Sequence, residues 1–505
     1  MDYVEIFCLL FFVTFILNLI KRPRINANEP PLVPYHIPFI GHTYNFLNGS
    51  ENFLRKCKEK YGEPFSLYIF GTVVTFTGYE TSTEVLKNSD IFDFYSAVDK
   101  IFPISPVFRI FNKKFHSLEF TARVVHEQIS SKLNLYFSRI QKEILFGIEK
   151  YFGKCEEPKV FRNTSHMLSR IIARPVANIL LGEEASQFED IVESFSIVEN
   201  KILTKCLITP MLSFIHRSFH TSFITLLFKF GLISIVGHRD TFVKRCKPIV
   251  EERIHQRKKL GEKYIQKEDL LDFYLGDPHF KTDVVDDQYM DELFGHLYWL
   301  VFVSINATTK ALGFALFDYA GRPELWDEIY EEQLKIHNES NGILSTEDVH
   351  KMVKLDCLIK ESLRCSTDIA AIPHILTDNS FTFSNGATIP KGREVYVYMR
   401  DLAFNNNFFG ETSNEFQPKR HITSYPNGKT VHLPSTKVDK SFMTFGGGKR
   451  ACPGRFFAIN EIKIALHKLI LRYKIRTESG KVDPARIILT LAYPPNSGLI
   501  FEDRN

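Results

Sequence analysis

Residues 442–463 read FMTFGGGKRACPGRFFAINEIK. Three consecutive glycines, Gly446 to Gly448, let a backbone come close to something flat or bulky. Cys452 follows, and then Pro453, which suits the first turn of a helix because its missing N–H costs little there. Over 455–473 apolar residues recur at Phe456, Ile459, Ile462, Leu466 and Leu469, one stripe at helical spacing. The stretch predicts a glycine loop running into a helix, with Cys452 at the helix N-terminus. Backbone N–H groups and the helix dipole stabilise a thiolate at that place. Such a thiolate serves as a nucleophile or as a metal ligand. Arg450, two residues earlier, is placed to pair with a carboxylate of whatever binds.

The other seven cysteines are scattered and no pair has CxxC spacing, which argues against a structural zinc site. They read as small buried hydrophobes in a reducing compartment. With 63 basic against 59 acidic residues, the charge is too balanced for a dedicated nucleic-acid binder. Helical periodicity dominates, over 52–61, 120–152, 291–319, 324–337, 353–364 and 455–473. Strand-like runs are fewer, at 65–77, 380–383 and 393–398. The expected fold is mainly α with a small β portion, an α+β body. No Pro/Gly/Ser linker splits it, so 42–505 is read as one domain.

The chain starts MDYVEIFCLLFFVTFILNLIKRPR. The apolar run is just long enough to span a bilayer, and Lys21, Arg22 and Arg24 follow it directly. Basic residues after the run place the body on the cytoplasmic side. A cleaved signal peptide fits worse, since no small-residue cleavage site closes the run. Residues 1–24 are therefore read as an N-terminal membrane helix with its basic stop. Residues 25–41 carry Pro30, Pro31, Pro34 and Pro38, a stiff extended strut. A further apolar stretch, 204–237, is broken by Pro210, His216, Arg217 and His220. It is open to three readings: a second span, an amphipathic membrane-dipping segment, or a buried helix pair.

The pattern Phe445-x-x-Gly448-x-Arg450-x-Cys452-x-Gly454 resembles the heme-binding signature of the cytochrome P450 family. The resemblance implies the P450 fold and heme b, with Cys452 as axial thiolate ligand of the iron. Phe445 packs near the sulfur side of the ring and Arg450 pairs with a propionate, on the same resemblance. In KESLR, Glu361 and Arg364 lie three apart on one helix face. In EFQPKRH, Phe416, Pro418 and Arg420 match the segment whose arginine joins that pair. Glu361, Arg364 and Arg420 are read as a buried structural charge cluster. His374, in IPHIL, occupies the place where many relatives carry a propionate-binding Arg or His; an ordinary core histidine is the alternative.

The long helix over 296–316 is expected to cross the oxygen-binding face. The family pattern there is small–Gly–x–acid–Thr–Thr, and this chain reads Ser304-Ile305-Asn306-Ala307-Thr308-Thr309. Thr308 matches the alcohol that organises proton delivery. Ala307 stands where the acid belongs, so the relay runs through Thr308, Asn306 or water. A WxxxR motif is not visible; the tryptophans are Trp299 and Trp326. CPGRFFAINEIK and PPLVPYHIPFIGH look most like the branch of sterol hydroxylases and prostacyclin synthase.

The resemblance implies an oxidoreductase: a monooxygenase of the endoplasmic reticulum membrane, single-pass, body on the cytoplasmic side. It would take electrons from an NADPH-dependent flavoprotein reductase and oxidise a lipophilic, sterol- or fatty-acid-like substrate. Pocket walls are expected from 94–111, 204–237, the 296–316 helix and the segment after Arg364. Lys449, Arg455, Lys463 and Lys468 are expected to add positive charge facing the reductase. The missing acid favours a reductase-independent isomerase or dehydratase acting on a peroxide. A heme-binding protein without turnover is the third reading.

Overall fold

The structure, a computed structural model, describes residues 22–101, 118–206, 211–214, 217–230, 235–424 and 430–504. The principal helices are α1 (Ser50–Tyr61), α2 (Leu118–Val124), α3 (Leu133–Tyr151), α4 (Thr164–Leu181), α5 (Glu189–Cys206) and α6 (Arg217–Lys229). They continue with α7 (Val236–Leu260), α8 (Asp287–Ala320), α9 (Trp326–Glu339), α10 (Val353–Cys365) and α11 (Arg455–Arg472). The strands that matter for the site are β1 (Phe65–Ile69), β2 (Thr72–Thr77), β3 (Phe92–Asp93), β4 (Ala371–Leu376) and β5 (Glu394–Val397). This is the expected α+β body. The expected membrane helix lies almost wholly outside the described residues.

α8 is the axis. It starts where Asp286 accepts a hydrogen bond from the Tyr289 N–H, a side-chain cap. Phe314, Ala315, Leu316 and Phe317, four successive residues and so on every face, are all buried, because α4, α5, α10 and α11 surround it. It is long and apolar enough to cross a bilayer, yet most of it is packed inside the protein. Its roof contact is polar: Ser194 Oγ of α5 lies 2.8 Å from both His238 Nδ1 of α7 and Tyr298 Oη of α8. α3 and α4 pack against each other beside it. Sequence periodicity missed α4 and α7 because each carries a proline, Pro175 and Pro248.

The five-stranded sheet runs β1-β2-β5-β4-β3. Only β2 and β5 pair in parallel; the rest are antiparallel. The strand-like run over 65–77 is a hairpin. Phe70 and Gly71 both take positive φ at its turn, and a side chain on Gly71 would meet the Ser213 carbonyl at 2.8 Å. The proline strut lies alongside: the Val33 N–H donates to the Ser66 carbonyl and the Ser66 N–H to that of Pro31. The single helix expected over 120–152 is broken. α2 passes into a π-helical turn at Val125–Ser130, and α3 starts afresh after Lys132.

The segment preceding the cysteine loop is pinned from behind by one buried carboxylate. Asp356 of α10 accepts from the Ser435 N–H at 2.8 Å and Ser435 Oγ at 2.7 Å. Lys463 Nζ of α11 lies 2.7 Å away and His432 Nε2 2.9 Å. Burial alone would raise this carboxyl, but His432, Lys463 and Ser435 hold it far below the carboxylate range. The expectation that Lys463 faces a partner is thereby corrected, because its ammonium is buried in this cluster. Asp356→Ala strands that cation in the interior. Its expected cost is about 3–5 kcal/mol of folding stability, read from urea unfolding followed by circular dichroism; a loss below about 1 kcal/mol would remove Asp356 from this role.

Candidate active site

The loop before α11 is closed by backbone. The Gly446 N–H reaches the Met443 carbonyl and the Cys452 N–H reaches that of Phe445, both at 2.8 Å. Gly446 and Gly448 have φ of +75° and +61°. A β-carbon on Gly448 would sit 2.5 Å from the Leu86 carbonyl, so glycine is required there by conformation and by space. Ala451 is still extended, and α11 starts at Arg455 behind Gly454. Pro453 therefore precedes the cap instead of lying in the first turn, because the chain must first bring the Cys452 N–H back to Phe445. Arg455 locks the corner by donating to the Cys452 carbonyl at 2.7 Å and the Thr436 carbonyl at 3.1 Å. Ser130, from the π-helical turn, donates to the Pro453 carbonyl at 2.7 Å.

This geometry aims N–H groups at sulfur. Burial pushes the Cys452 thiol above its ordinary value, while the N–H groups of Gly454 and Arg455 and the Arg455 charge pull it back. The sulfur faces a cavity of about 670 Å³ enclosed between the loop and α8. Small residues line both walls: Gly446, Gly447, Gly454 and Ala458 below, Ala307 and Ala311 above. Phe445 and Arg450 line it too, as do Phe94, Tyr95 and Val98 at one side. Thr121, Ala122 and Val125 come from the α2 region, which no sequence motif marked. No described residue of 204–237 lines it; the segment after Arg364 does, through Ser366, Thr367 and Ile372.

A flat apolar slot, a single thiol with N–H groups aimed at it, and a cation at the edge form a donor set that fits heme b. The edge groups are already engaged. Arg450 lies 3.3 Å from Asp93 and its guanidinium 5.3 Å from the Tyr95 ring. His374 lines the cavity with Nδ1 2.9 Å from the Ile372 carbonyl. A carbonyl only accepts, so Nδ1 carries the proton and Nε2 is an acceptor. Burial, with Arg450 adding to it, pulls His374 down to about 4. Ile372 itself takes φ +51°, rare for a β-branched residue, within the bulge between Ala371 and His374.

On α8, Ala307 and Thr308 line the cavity and Asn306 does not. Thr308 is buried. The helix runs unbroken through Ile305, where the family's glycine is absent.

The charge cluster is assembled as expected, away from the cavity wall. Arg364 grips Glu361 with two bonds of 2.7 and 2.9 Å, and Arg420 Nε adds a third at 3.0 Å. It holds two further partners that pattern matching missed: the Gln417 N–H at 2.8 Å and His421 Nε2 at 2.9 Å. His421 directly follows Arg420, and that adjacency was its only sequence signal. Of the four cations expected to face a partner, Lys449 is exposed beside Asp90, whereas Arg455 is engaged in the loop. Lys463 and Lys468 point inward, Lys468 donating to the Gly342 carbonyl at 3.1 Å.

The family description "Cytochrome P450" matches residues 30–500. Cytochrome P450 monooxygenase AN1598 of Emericella nidulans is 26% identical over 370 residues, 72% of this chain and 66% of that protein. Cytochrome P450 monooxygenase olcJ of Penicillium canescens matches with the same identity and coverage. Cytochrome P450 monooxygenase 71 of Postia placenta is 27% identical over 281 residues, 54% of this chain and 55% of that protein. The matched stretches thus span just under two thirds of the first two relatives and about half of the third.

The Glu361 cluster carries a pH signature. Burial opposes ionisation, but Arg364 and His421 prevail and bring the carboxyl down from 4.5 to about 2. A depressed folded pKa contributes stability that is present above about pH 4.5 and lost as pH falls towards 2. The shift corresponds to about 3 kcal/mol. Unfolding free energy measured across that window should fall by about this amount more in the parent chain than in Glu361→Gln; equal slopes would refute the assignment.

Proposed function

The chain belongs to the cytochrome P450 family, and on that footing we propose that it is a membrane-associated monooxygenase inserting one oxygen atom from O2 into a lipophilic substrate. Proteins of this family bind heme b through a cysteine thiolate. In this chain the ligand is Cys452, held by Phe445, Gly448, Arg450 and Gly454. The observation that carries the reading is a thiol, set at the end of a glycine loop closed by the Cys452 N–H on the Phe445 carbonyl, that shares one cavity with Thr308 of α8. Heme b held by that sulfur would supply an electron-rich iron, the chemistry suited to O2 activation.

The protein's own part is to seat, dry and protonate. The apolar walls take the substrate and exclude bulk water. Thr308 holds a proton at Oγ1 for delivery towards the oxygen side. With alanine at 307, the next proton comes from water hydrogen-bonded to that hydroxyl. Asn306, outside the cavity wall, acts on the relay only through the helix. Electrons come from an NADPH-dependent flavoprotein reductase docking on the Cys452 side, where Lys449 is exposed. The substrate class, sterol- or fatty-acid-like, rests on motif likeness in 30–42 and 452–463. One observation favours a second reading, a peroxide isomerase needing no reductase: Ala307 brings no carboxyl to the cavity.

Membrane association has support outside the N-terminal anchor. On α6 and just past it, Phe219, Phe223, Leu226 and Phe230 recur at i, i+4, i+7 and i+11, and all are exposed. The opposite face buries Ile224 and Phe228 against the body. Exposed Ile37 and Phe39 of the strut adjoin it, the Phe39 ring lying 6.5 Å from that of Phe214. An apolar stripe on a helix already packed on its other side suits the bilayer interface. The body is expected on the cytoplasmic face of the endoplasmic reticulum membrane.

The carbon-monoxide difference spectrum of the reduced protein should carry the red-shifted Soret band of thiolate ligation, lost in Cys452→Ala. Retention of that band in Cys452→Ala would move the ligand elsewhere. Reconstituted with reductase, substrate oxidation should consume NADPH in proportion to product. Product formed from a hydroperoxide without NADPH would establish the isomerase instead. For the membrane surface, Phe223→Trp should be quenched by lipids brominated at the acyl boundary, in the full chain in vesicles. Quenching no greater than that of the native tryptophans would refute contact there.

A further inference from the structure

The cavity wall carries an ion pair that the mechanism above leaves unused. α8 contributes Lys310 and the segment after α10 contributes Asp368, with Nζ 2.6 Å from Oδ1. Both line the cavity. Their side chains are 22% and 23% exposed, so the pair is neither sealed in the core nor free in solvent. A third element holds it: the Ala492 N–H donates to Asp368 Oδ1 at 2.8 Å, and the Lys310 ammonium lies 5.3 Å from the Tyr493 ring. The same wall carries the small hydroxyls of Ser304, Ser366 and Thr367 among the apolar Val303, Ala311, Phe314 and Leu363, and no other charged group among the described residues.

The pair has spare capacity. An ammonium has three N–H donors, and Asp368 takes one. Asp368 Oδ2 has no protein partner among the described residues. A donor and an acceptor therefore stand side by side. Helical geometry sets their place: residues two apart on a helix are about 200° apart. Lys310 and Thr308 thus mark opposite edges of the strip of α8 that faces the cavity, with Ala307 and Ala311 between them.

Ligand charge decides what fits. A carboxylate competing for Lys310 would strand Asp368, and an amine competing for Asp368 would strand Lys310. Either leaves a half-buried charge without its partner, the costly case. A neutral hydroxyl accepts from Lys310 and donates to Asp368 Oδ2 while the pair stays whole.

Building on the monooxygenase reading, we infer that Lys310 and Asp368 anchor a hydroxyl group at one end of a neutral lipophilic substrate. The skeleton then lies along Ala311 and Ala307 towards Thr308, which fixes the end presented for oxidation as the one remote from the hydroxyl.

The test is equilibrium dialysis of the full-length, heme-loaded chain with three rigid probes: adamantane, adamantan-1-ol and adamantane-1-carboxylate. Apolar burial alone ranks adamantane first, since the alcohol must shed water. The anchor reverses this, making the alcohol about tenfold tighter than adamantane, with the carboxylate weakest. Lys310→Met and Asp368→Asn should each abolish the alcohol's advantage and leave adamantane binding within about twofold. An alcohol-to-adamantane ratio unchanged in both variants overturns the anchor, and so does a carboxylate that binds tightest. Should a variant fail to fold, the ranking within the parent chain still decides: alcohol first sustains the inference, adamantane or carboxylate first refutes it. Failure of all three probes to bind the parent chain would instead sink the lipophile-binding reading on which the anchor rests.

Discussion

The constraint on which the site depends is the closing of a seven-residue reach of backbone, Phe445 to Ala451, by the hydrogen bond from Cys452 to the Phe445 carbonyl. That bond turns the sulfur towards α8 while leaving the N–H groups of Gly454 and Arg455 free to point at it. The turn is passable only because Gly446 and Gly448 adopt left-handed φ and because nothing but hydrogen fits between Gly448 and Leu86. Arg455 and Ser130 then tie the next two carbonyls from different sides. A buried thiol is otherwise a poor thiolate; here the loop supplies compensating dipoles before any ligand arrives.

Two buried carboxylates keep the loop's supports in place, and they do so differently. Glu361 is surrounded by guanidinium charge plus a histidine, and its ionisation is secured chiefly by Arg364 and His421. Asp356 depends on a lysine, a histidine and a serine, and it spans α10, α11 and the 432–435 segment at once. Breaking either leaves cations without partners in a low-dielectric interior, where the loss exceeds what the pair contributes. Both clusters sit off the cavity wall; they hold the elements that carry it.

The oxygen side departs from the family pattern in a consistent direction. Ala307 and Ile305 remove a carboxyl and a glycine from an unbroken α8, leaving the hydroxyls of Ser304 and Thr308 as the motif's polar groups on that wall. Charge returns two residues further along the same helix, in Lys310 paired with Asp368. The polar chemistry of the cavity is thereby moved from the proton path to the substrate's far end.

The motif residues were legible without any structure, because a thiolate ligand, a glycine-only turn and an i, i+3 Glu–Arg pair are local demands written in adjacent letters. The same holds for the helices over 353–365 and 455–472 and for the bulk of α8, whose periodicity is strong. What adjacency does not encode was decided by tertiary packing. Pro175 sits inside a helix because neighbouring elements bury it, and Pro248, itself exposed, is carried in a helix anchored by the buried Cys246, Ile249 and Val250, both against local propensity. His421 joins Glu361, and Lys463 turns inward to Asp356, because residues 60 and 107 positions apart meet only in the folded chain. The neutral state of His374 follows from its burial, and its tautomer from a carbonyl two residues away held at an unusual φ. Lys310 finds Asp368 across 58 residues. Sequence determined the ligand and its loop, since their physics is short-range; the electrostatics of the cavity depend on burial and distant partners, and only the fold assigns those.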